Sequence, residues 1–161
     1  MEEEYSKNNL MVLGNNQDGC LLTGDKIDVR DFLSIHNEEL KCLADINRGS
    51  FRIKTGMNMC AAYLKERSSY VLLWGRNVDN INKFMKIEFP ENIKKCVIGD
   101  SHILFLLNTG EAYSAGEGHN RQLGYDDQIN VSFNNPYKLN FKTKITNIYT
   151  GIRTSFFIDG I

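Results

Sequence analysis

Residues 93–127 constrain the fold more than any other part of the sequence. Two apolar runs, residues 96–98 and 103–107, flank Gly99, and short apolar runs bounded by turn residues are strands more often than helices. Asn108-Thr109-Gly110 then predicts a hairpin turn, because glycine adopts a positive φ without steric cost and asparagine tolerates it. The segment therefore predicts a strand, a turn, a second strand and a glycine-opened loop. Such a unit is too short to bury both of its faces alone.

Two other parts of the sequence repeat this unit in incomplete form, residues 53–77 upstream and residues 148–161 downstream. The glycines that open the repeated hairpin are 43 and 52 residues apart, and those that close its later strand are 61 and 41 apart. Self-similarity at roughly 40 to 60 residues, with strands and glycine turns in each copy, predicts a β-propeller. The opening glycines are Gly56, Gly99 and Gly151, and the closing glycines are Gly14, Gly75 and Gly116.

The same residues resemble a repeat of the regulator of chromosome condensation family. The best copy carries Gly99, His102, Leu106, Thr109, Gly110, Tyr113, Gly116, Asn120, Gln122, Leu123, Gly124, Asp126 and Pro136. Partial matches recur at residues 73–77 and 13–25. The resemblance covers residues 10–161 and implies an all-β fold, a partial β-propeller built from such repeats that forms an incomplete ring. Residues 10–161 would supply about three blades, the last one truncated, after an acidic N-terminal tail at residues 1–9.

Residues 26–48 fit the repeat least. Five apolar side chains fall near one helical face, which would suit a short helix, whereas the resemblance would place there the connection to the next blade's first strands. Both interpretations stay open at this point. The five residues are Val29, Phe32, Leu33, Leu40 and Leu43.

The other end of the sequence predicts a truncated repeat. Residues 159–161 predict a turn with nothing after it, so the last hairpin would lack its second strand. The chain would then be a fragment of a larger protein or a reduced gene product. About three blades cannot close a ring, and each open blade face would expose hundreds of Å² of apolar surface. We therefore expect self-association through the open blade edges, or completion of the ring by sequence outside this chain.

Charge and hydropathy restrict the partners. There are 19 basic and 20 acidic side chains, for a net charge of −1, whereas a general nucleic-acid binder shows a basic excess or cluster. Nucleic acid is therefore not expected as a partner. No apolar run approaches the roughly 18 residues of a membrane-spanning helix, and Glu2, Glu3 and Glu4 carry the wrong charge for a secretory or mitochondrial signal. A cytoplasmic or nuclear protein with no membrane partner is expected.

The cysteines and the tryptophan predict packing rather than chemistry. Cys20, Cys42, Cys60 and Cys96 lie 22, 18 and 36 residues apart, without the short pairings of a zinc site, and this spacing favours buried thiols. Trp74 is the only tryptophan, and its place at a strand end favours packing in the core or between blades over ligand binding.

A search for catalytic groups gives no candidate. The histidines are His36, His102 and His119, and none shares a recognisable nucleophile motif with a serine, a cysteine or a carboxylate. His102 stands where the family often has histidine, so a core role is expected. We accordingly expect no enzyme activity, no catalytic residue, no metal and no cofactor.

The remaining candidate is the polar loop after Gly116, which would project from one rim of the propeller. Rigid scaffolds often carry function on such loops. Alternatively, Asn120, Gln122 and Asp126 only hold the loop through bonds from side chain to backbone. The candidate binding residues are Glu117, His119, Asn120, Arg121, Asp126 and Asp127.

The resemblance implies two functions. The first is a non-catalytic protein–protein interaction module, in which a rim or face of the propeller scaffold binds another protein. The alternative is guanine-nucleotide exchange on a Ran-type small GTPase, the activity of the family's founding member. Exchange would need a face that displaces Mg²⁺ and phosphates, and the sequence contains no obvious wedge insertion for this task. The interaction module is therefore favoured.

Overall fold

The computed structural model describes residues 10–35, 37–40, 49–76, 83–124 and 130–160. In these residues the chain is built almost entirely from antiparallel strands, which confirms the predicted all-β class. The strands are β1 (Leu10–Gly14), β2 (Val29–Ile35), β3 (Phe51–Thr55), β4 (Met59–Leu64), β5 (Tyr70–Gly75), β6 (Met85–Glu88), β7 (Ile93–Ile98), β8 (His102–Leu107), β9 (Ala112–Gly116), β10 (Tyr137–Lys138), β11 (Ile145–Thr150) and β12 (Ser155–Asp159).

The strands form two four-stranded sheets flanked by two strand pairs. One sheet has the order β3-β4-β5-β6 and the other the order β7-β8-β9-β10, so each is a simple meander. The pairs are β1-β2 and β11-β12. β1, β5 and β9 each end at a predicted closing glycine, and these glycines have φ angles of 117°, 115° and 109°. The three strands are therefore equivalent in the repeat.

The predicted opening glycines stand at the turns between the first two strands of each sheet or pair. Gly56, Gly99 and Gly151 begin the turns after β3, β7 and β11, and each N–H donates to the carbonyl three residues on, at 2.8, 2.8 and 2.9 Å. A Cβ on Gly56 would lie 2.6 Å from the Gly99 carbonyl oxygen, and one on Gly99 would lie 2.9 Å from that of Gly151. The turns at Gly56 and Gly99 can pack against the next turn only because these glycines lack a Cβ, whereas a Cβ on Gly151 would meet Thr154 of its own turn.

The core consists of layers between the sheets, and the central strands are buried on both faces. In β8, Ile103, Phe105 and Leu107 pack against the β4-β5 side, whereas Leu104 and Leu106 pack against the β11-β12 pair. The side chains of β4 alternate in the same way between the first of these layers and a third layer shared with β1-β2. This two-sided burial is why residues 103–107 form a continuous apolar run without polar alternation.

The tryptophan joins two sheets, as predicted. Trp74 in β5 is 4% exposed, and its Nε1–H donates to the carbonyl oxygen of Cys20 at 2.9 Å. Its ring meets that of Phe84 edge to face, with centroids 5.3 Å apart. The packing role predicted for Trp74 is therefore confirmed.

The segment that allowed two interpretations contains a strand. Val29, Phe32 and Leu33 belong to β2, which pairs with β1, so their proposed place on a helical face is wrong. The backbone N–H and C=O groups of β2 that bond to β1 are not available for the hydrogen bonds within a helix. A helical turn follows at residues 38–40, with Leu40 buried. Leu43 and His36 lie outside the described residues.

The last hairpin is complete. β11 and β12 pair across the turn that Gly151 begins, and Asp159 is the final residue of β12. Gly160 follows β12 and Ile161 lies outside the described residues, so the turn expected at residues 159–161 stays a prediction. In the complete sheet β9 and β10 come after β8, whereas no equivalent strands come after β12 in the described residues.

The thiols are packing groups. Cys60 and Cys96 are buried and Cys20 is half-buried, all three as free cysteines, whereas Cys42 lies outside the described residues. Burial raises the pKa of the Cys96 thiol well above its usual value. Across the described ranges, no group of three or more His, Cys, Asp or Glu side chains could hold a metal ion. No helix in the described part of the chain is long and apolar enough to cross a membrane.

Candidate functional site

The predicted loop begins where β9 leaves its sheet, and we call residues 117–124 the rim loop. Gly116 forms a two-bond bridge with Val131, at 2.7 and 2.8 Å. The Glu117 N–H donates to the Ser101 carbonyl at 2.9 Å, which places the loop beside the β7-β8 turn. A Cβ on Gly116 would lie 2.3 Å from that same carbonyl, so the loop can leave the sheet here only from a glycine.

Two consecutive turns shape the rim loop. The Arg121 N–H donates to the Gly118 carbonyl at 2.8 Å, and the Gly124 N–H donates to the Arg121 carbonyl at 3.2 Å. Arg121 and Gly124 have φ angles of 61° and 80°. The Gln122 Oε1 accepts from the Asn120 N–H at 2.9 Å. The loop therefore has a defined backbone rather than an extended one.

Buried groups beneath the loop anchor it. The side chains of Gln122 and Leu123 are buried, the Leu123 carbonyl accepts from the Ser114 hydroxyl at 2.8 Å, and the Gln122 carbonyl accepts from the Ser155 hydroxyl at 2.6 Å. His102 Nε2 lies 3.0 Å from Ser155 Oγ. Since Ser155 has already donated its only hydrogen, the imidazole must donate through Nε2–H. The anchor thus links β8, β12 and the loop.

His102 is a core residue, as predicted. Its side chain is fully buried, and its ring occupies the space over Gly99, with Cε1 2.3 Å and Nδ1 2.5 Å from where a Cβ would stand. This is the physical reason for the three-residue spacing between the glycine and the histidine. Burial lowers the pKa of His102, and the Thr154 backbone and Asp100 offset this only in part. The neutral imidazole is the form that suits the site.

The structure brings four of the predicted binding residues together at the surface. Glu117, His119, Asn120 and Arg121 are exposed on the rim loop. Among the described residues, the side chains of Glu117, His119 and Arg121 form no hydrogen bond or ion pair. Gln122 instead holds the backbone, as the alternative interpretation proposed for it. The other two candidates, Asp126 and Asp127, lie outside the described residues. A binding role for the loop stays a prediction.

The loop after β1 repeats this backbone. Residues with positive φ occur at the same spacing in both loops, five and then three residues apart. Arg121 takes the position that glycine takes in the first loop, and a non-glycine residue there costs about 1 kcal/mol. Backbone strain of this kind often marks functional positions. The positions are Gly14, Gly19 and Leu22 in the first loop, and Gly116, Arg121 and Gly124 in the rim loop.

The first loop uses its polar side chains internally. Asn16 is buried, its Nδ2 donates to Thr23 Oγ1 at 2.7 Å and to the Asp25 carbonyl at 2.9 Å, and its Oδ1 accepts from the Leu21 N–H at 2.9 Å. Hydrogen bonds from the Thr23 hydroxyl and then the Ile27 N–H lower the pKa of Asp25. The contrast with the rim loop is clear, because there the charged side chains point to solvent without internal partners among the described residues.

Comparison with known proteins gives one curated relative. No family model matches the chain. The Rho GTPase-activating protein gacGG of Dictyostelium discoideum is 30% identical over 127 residues, which are 76% of this chain and 9% of that protein. The chain therefore spans less than a tenth of this relative.

Solved structures match nearly the whole chain. Human WBSCR16 matches with a TM-score of 0.71 and 18% identity over 97% of this chain and 41% of its own. The crystal structure of Kap60 bound to yeast RCC1 (Prp20) matches with a TM-score of 0.64 and 21% identity, covering 94% and 37%. Prp20p from Saccharomyces cerevisiae matches with a TM-score of 0.62 and 20% identity, covering 94% and 39%. The chain thus spans about two fifths of these structures, and it is a partial β-propeller with the fold of the regulator of chromosome condensation family.

Proposed function

We propose that this chain is a non-catalytic protein–protein interaction module that binds its partner through the rim loop. One observation supports the proposal: buried groups hold the base of the rim loop in place, while the polar and charged side chains above it have no partner in the described structure. Gln122 and Leu123 fix the loop from below, while Glu117, His119 and Arg121 project from it without internal partners in the described structure. A preorganised polar loop loses little entropy on binding.

The chemistry beneath the loop favours binding over catalysis. His102 and Ser155 are within hydrogen-bonding distance, at 3.0 Å, but the serine hydrogen is committed to the Gln122 carbonyl. A nucleophilic serine would instead give its hydrogen to the imidazole. The pair also lies under the loop, with His102 fully buried. Its arrangement suits an anchor.

A second candidate function is guanine-nucleotide exchange on a Ran-type small GTPase. The observation that favours it is the likeness to Prp20p, whose structure is described together with its binding properties to Gsp1p and histones. The chain spans 39% of that protein, so an exchange face would need residues from both this chain and others. We rank exchange second for this reason. A cytoplasmic or nuclear location remains part of the proposal.

Partner capture with and without a chelator separates the two functions. The tagged chain is incubated with lysate, and bound proteins are identified before and after chelation removes Mg²⁺ and loosens nucleotide from GTPases. An interaction module retains the same proteins in both conditions. Retention of a small GTPase only after chelation would instead favour exchange. A chain that retains no protein in either condition would contradict both functions.

A further inference from the structure

The first strands of three neighbouring sheets lie side by side. β3, β7 and β11 each stand at the end of their sheet or pair, so each pairs with a neighbouring strand on one side only. β7 contacts both β3 and β11. Three strand edges therefore face the same region, the one from which the sheets spread outward.

The three strands carry positive charge and no negative charge. Four basic residues lie on β3 and β7, and the strands β3, β7 and β11 contain no aspartate or glutamate. All four side chains are half-buried. We call these residues the basic edge: Arg52, Lys54, Lys94 and Lys95.

The partners of the basic edge are neutral. Arg52 donates to the carbonyls of Gly49 and Phe51 at 3.0 and 2.8 Å. Lys94 donates to the Thr146 carbonyl at 3.0 Å. No residue of the basic edge forms an ion pair with a carboxylate within the described ranges. The positive charge is therefore not compensated locally.

Lys95 interacts with neutral groups of β11 and also with the charge of Lys54. Lys95 donates to Asn147 Oδ1 at 2.7 Å and lies 3.9 Å above the ring of Tyr149. Burial lowers the pKa of Lys95, and the charge of Lys54 lowers it further. An anion placed between these lysines would relieve their repulsion, and partial burial makes such an attraction stronger than at a fully exposed site.

We propose that the basic edge is a second binding surface, separate from the rim loop, and that it binds a short acidic peptide segment in extended form. Side chains two residues apart on a strand are about 7 Å apart, and an extended peptide repeats its side chains at the same interval. Arg52 and Lys54 have this spacing on β3, and Lys94 and Lys95 lie on β7, which is in contact with β3. The cations are thus spread along a path rather than converging on a point, which suits successive carboxylates better than one phosphate.

The overall charge favours a peptide over a nucleic acid. A long polyanion needs an extended basic surface, whereas this chain has 20 acidic side chains against 19 basic ones. Outside the four residues of the basic edge, acidic side chains outnumber basic ones, so a duplex or a long single strand would be repelled there. A short acidic segment meets the basic edge alone.

Fluorescence anisotropy with a labelled hexaglutamate peptide tests this proposal on the full chain. A labelled hexaglutamine peptide is the neutral control. We expect saturable binding of the glutamate peptide only, and affinity that falls as salt rises. The double variant Lys54→Gln with Lys95→Gln should bind about tenfold more weakly, because it removes two half-buried cations. The double variant Lys54→Arg with Lys95→Arg keeps both positive charges and should bind hexaglutamate with the wild-type affinity.

The matched control is Lys26→Gln with Lys142→Gln, which removes the same charge from exposed loops and should leave the affinity within about twofold. If the Lys95 variant does not fold, Lys54→Gln alone serves, since no hydrogen bond of the described structure depends on the Lys54 side chain.

Absence of hexaglutamate binding, or equal loss in the control, would overturn the proposal. Tighter binding of an oligothymidylate than of hexaglutamate would replace the peptide with a nucleic acid. The rim loop is unchanged in every variant, so this result is independent of the proposed function.

Discussion

A glycine and a histidine three residues apart explain much of the repeat at the level of single residues. The imidazole of His102 fills the space beside Gly99 that a Cβ would need, and its Nε2 reaches the serine that anchors the rim loop. The glycine and the tryptophan could be assigned from their places in the repeat, and the buried histidine from the resemblance to the family. The positive φ of Leu22, Glu66 and Arg121 could not, since nothing in those side chains signals it.

The substitution Gly99→Ala tests the close approach of the turns. The new methyl group would lie 2.3 Å from the His102 ring and 2.9 Å from the Gly151 carbonyl, so we expect the free energy of unfolding to fall by about 2 kcal/mol. Gly49→Ala is the matched control, because no atom lies within 4 Å of its added Cβ. Urea unfolding of both variants measures the difference. Equal stability of the two variants would contradict the packing described for Gly99.

The pKa of His102 predicts how stability depends on pH. Burial lowers this pKa in the folded state, so the unfolded chain binds more protons just below pH 6.5. Stability contributed by the neutral imidazole is therefore present above that pH and is lost as the pH falls through it. Urea midpoints at pH 7 and pH 5 should differ more for the wild type than for His102→Gln. A larger pH dependence in the variant would refute this role.

The central strands show why some elements could be predicted and others could not. β7, β8 and β9 follow from apolar runs and glycine turns that are local in sequence. β2 does not, because Val29, Phe32 and Leu33 also suit a helical face and only the distant partner β1 decides for a strand. The rim loop could be located after Gly116, but its anchor could not, since Ser155 lies 33 residues beyond Gln122.

Substitutions in β8 test its burial on both faces. Leu104 and Phe105 are both fully buried but belong to different packing layers, so Leu104→Ala and Phe105→Ala should each lower the free energy of unfolding by about 3 kcal/mol. Phe156→Ala in β12 should change it by less than about 1 kcal/mol, because this ring is 58% exposed. Denaturant unfolding of the three variants makes the comparison. A large effect for only one of the β8 variants would show that one face is loosely packed.

The whole molecule exposes apolar surface at both ends of its series of sheets. Met11, Leu13 and Phe32 are exposed on the β1-β2 pair, and Phe156 and Ile158 on the β11-β12 pair. In the middle of the series the corresponding faces are covered by the next sheet. This pattern could be anticipated from the incomplete repeats. The division into an acidic tail at residues 1–9 and about three blades remains a prediction.

We expect the isolated chain to self-associate through these end faces. Sedimentation velocity should show an average mass that rises with protein concentration. Phe32→Ser combined with Phe156→Ser should shift the mass toward that of the monomer, because it removes one large apolar side chain from each face. Lys26→Ser with Lys142→Ser, on exposed loops, is the control and should leave association unchanged. A wild-type chain that stays monomeric at every concentration would contradict this expectation.

The central claim is that the rim loop binds the partner, and one comparison tests it most directly. Arg121→Gly removes the exposed side chain at a position whose φ of 61° favours glycine, and Glu66→Gly does the same at another exposed turn, with φ also 61°. The two turns lie at opposite ends of the strands, and both variants should keep the fold. Quantitative capture should show the partner lost or strongly reduced with Arg121→Gly and retained with Glu66→Gly. Equal capture by both variants and the wild type would place the binding surface elsewhere.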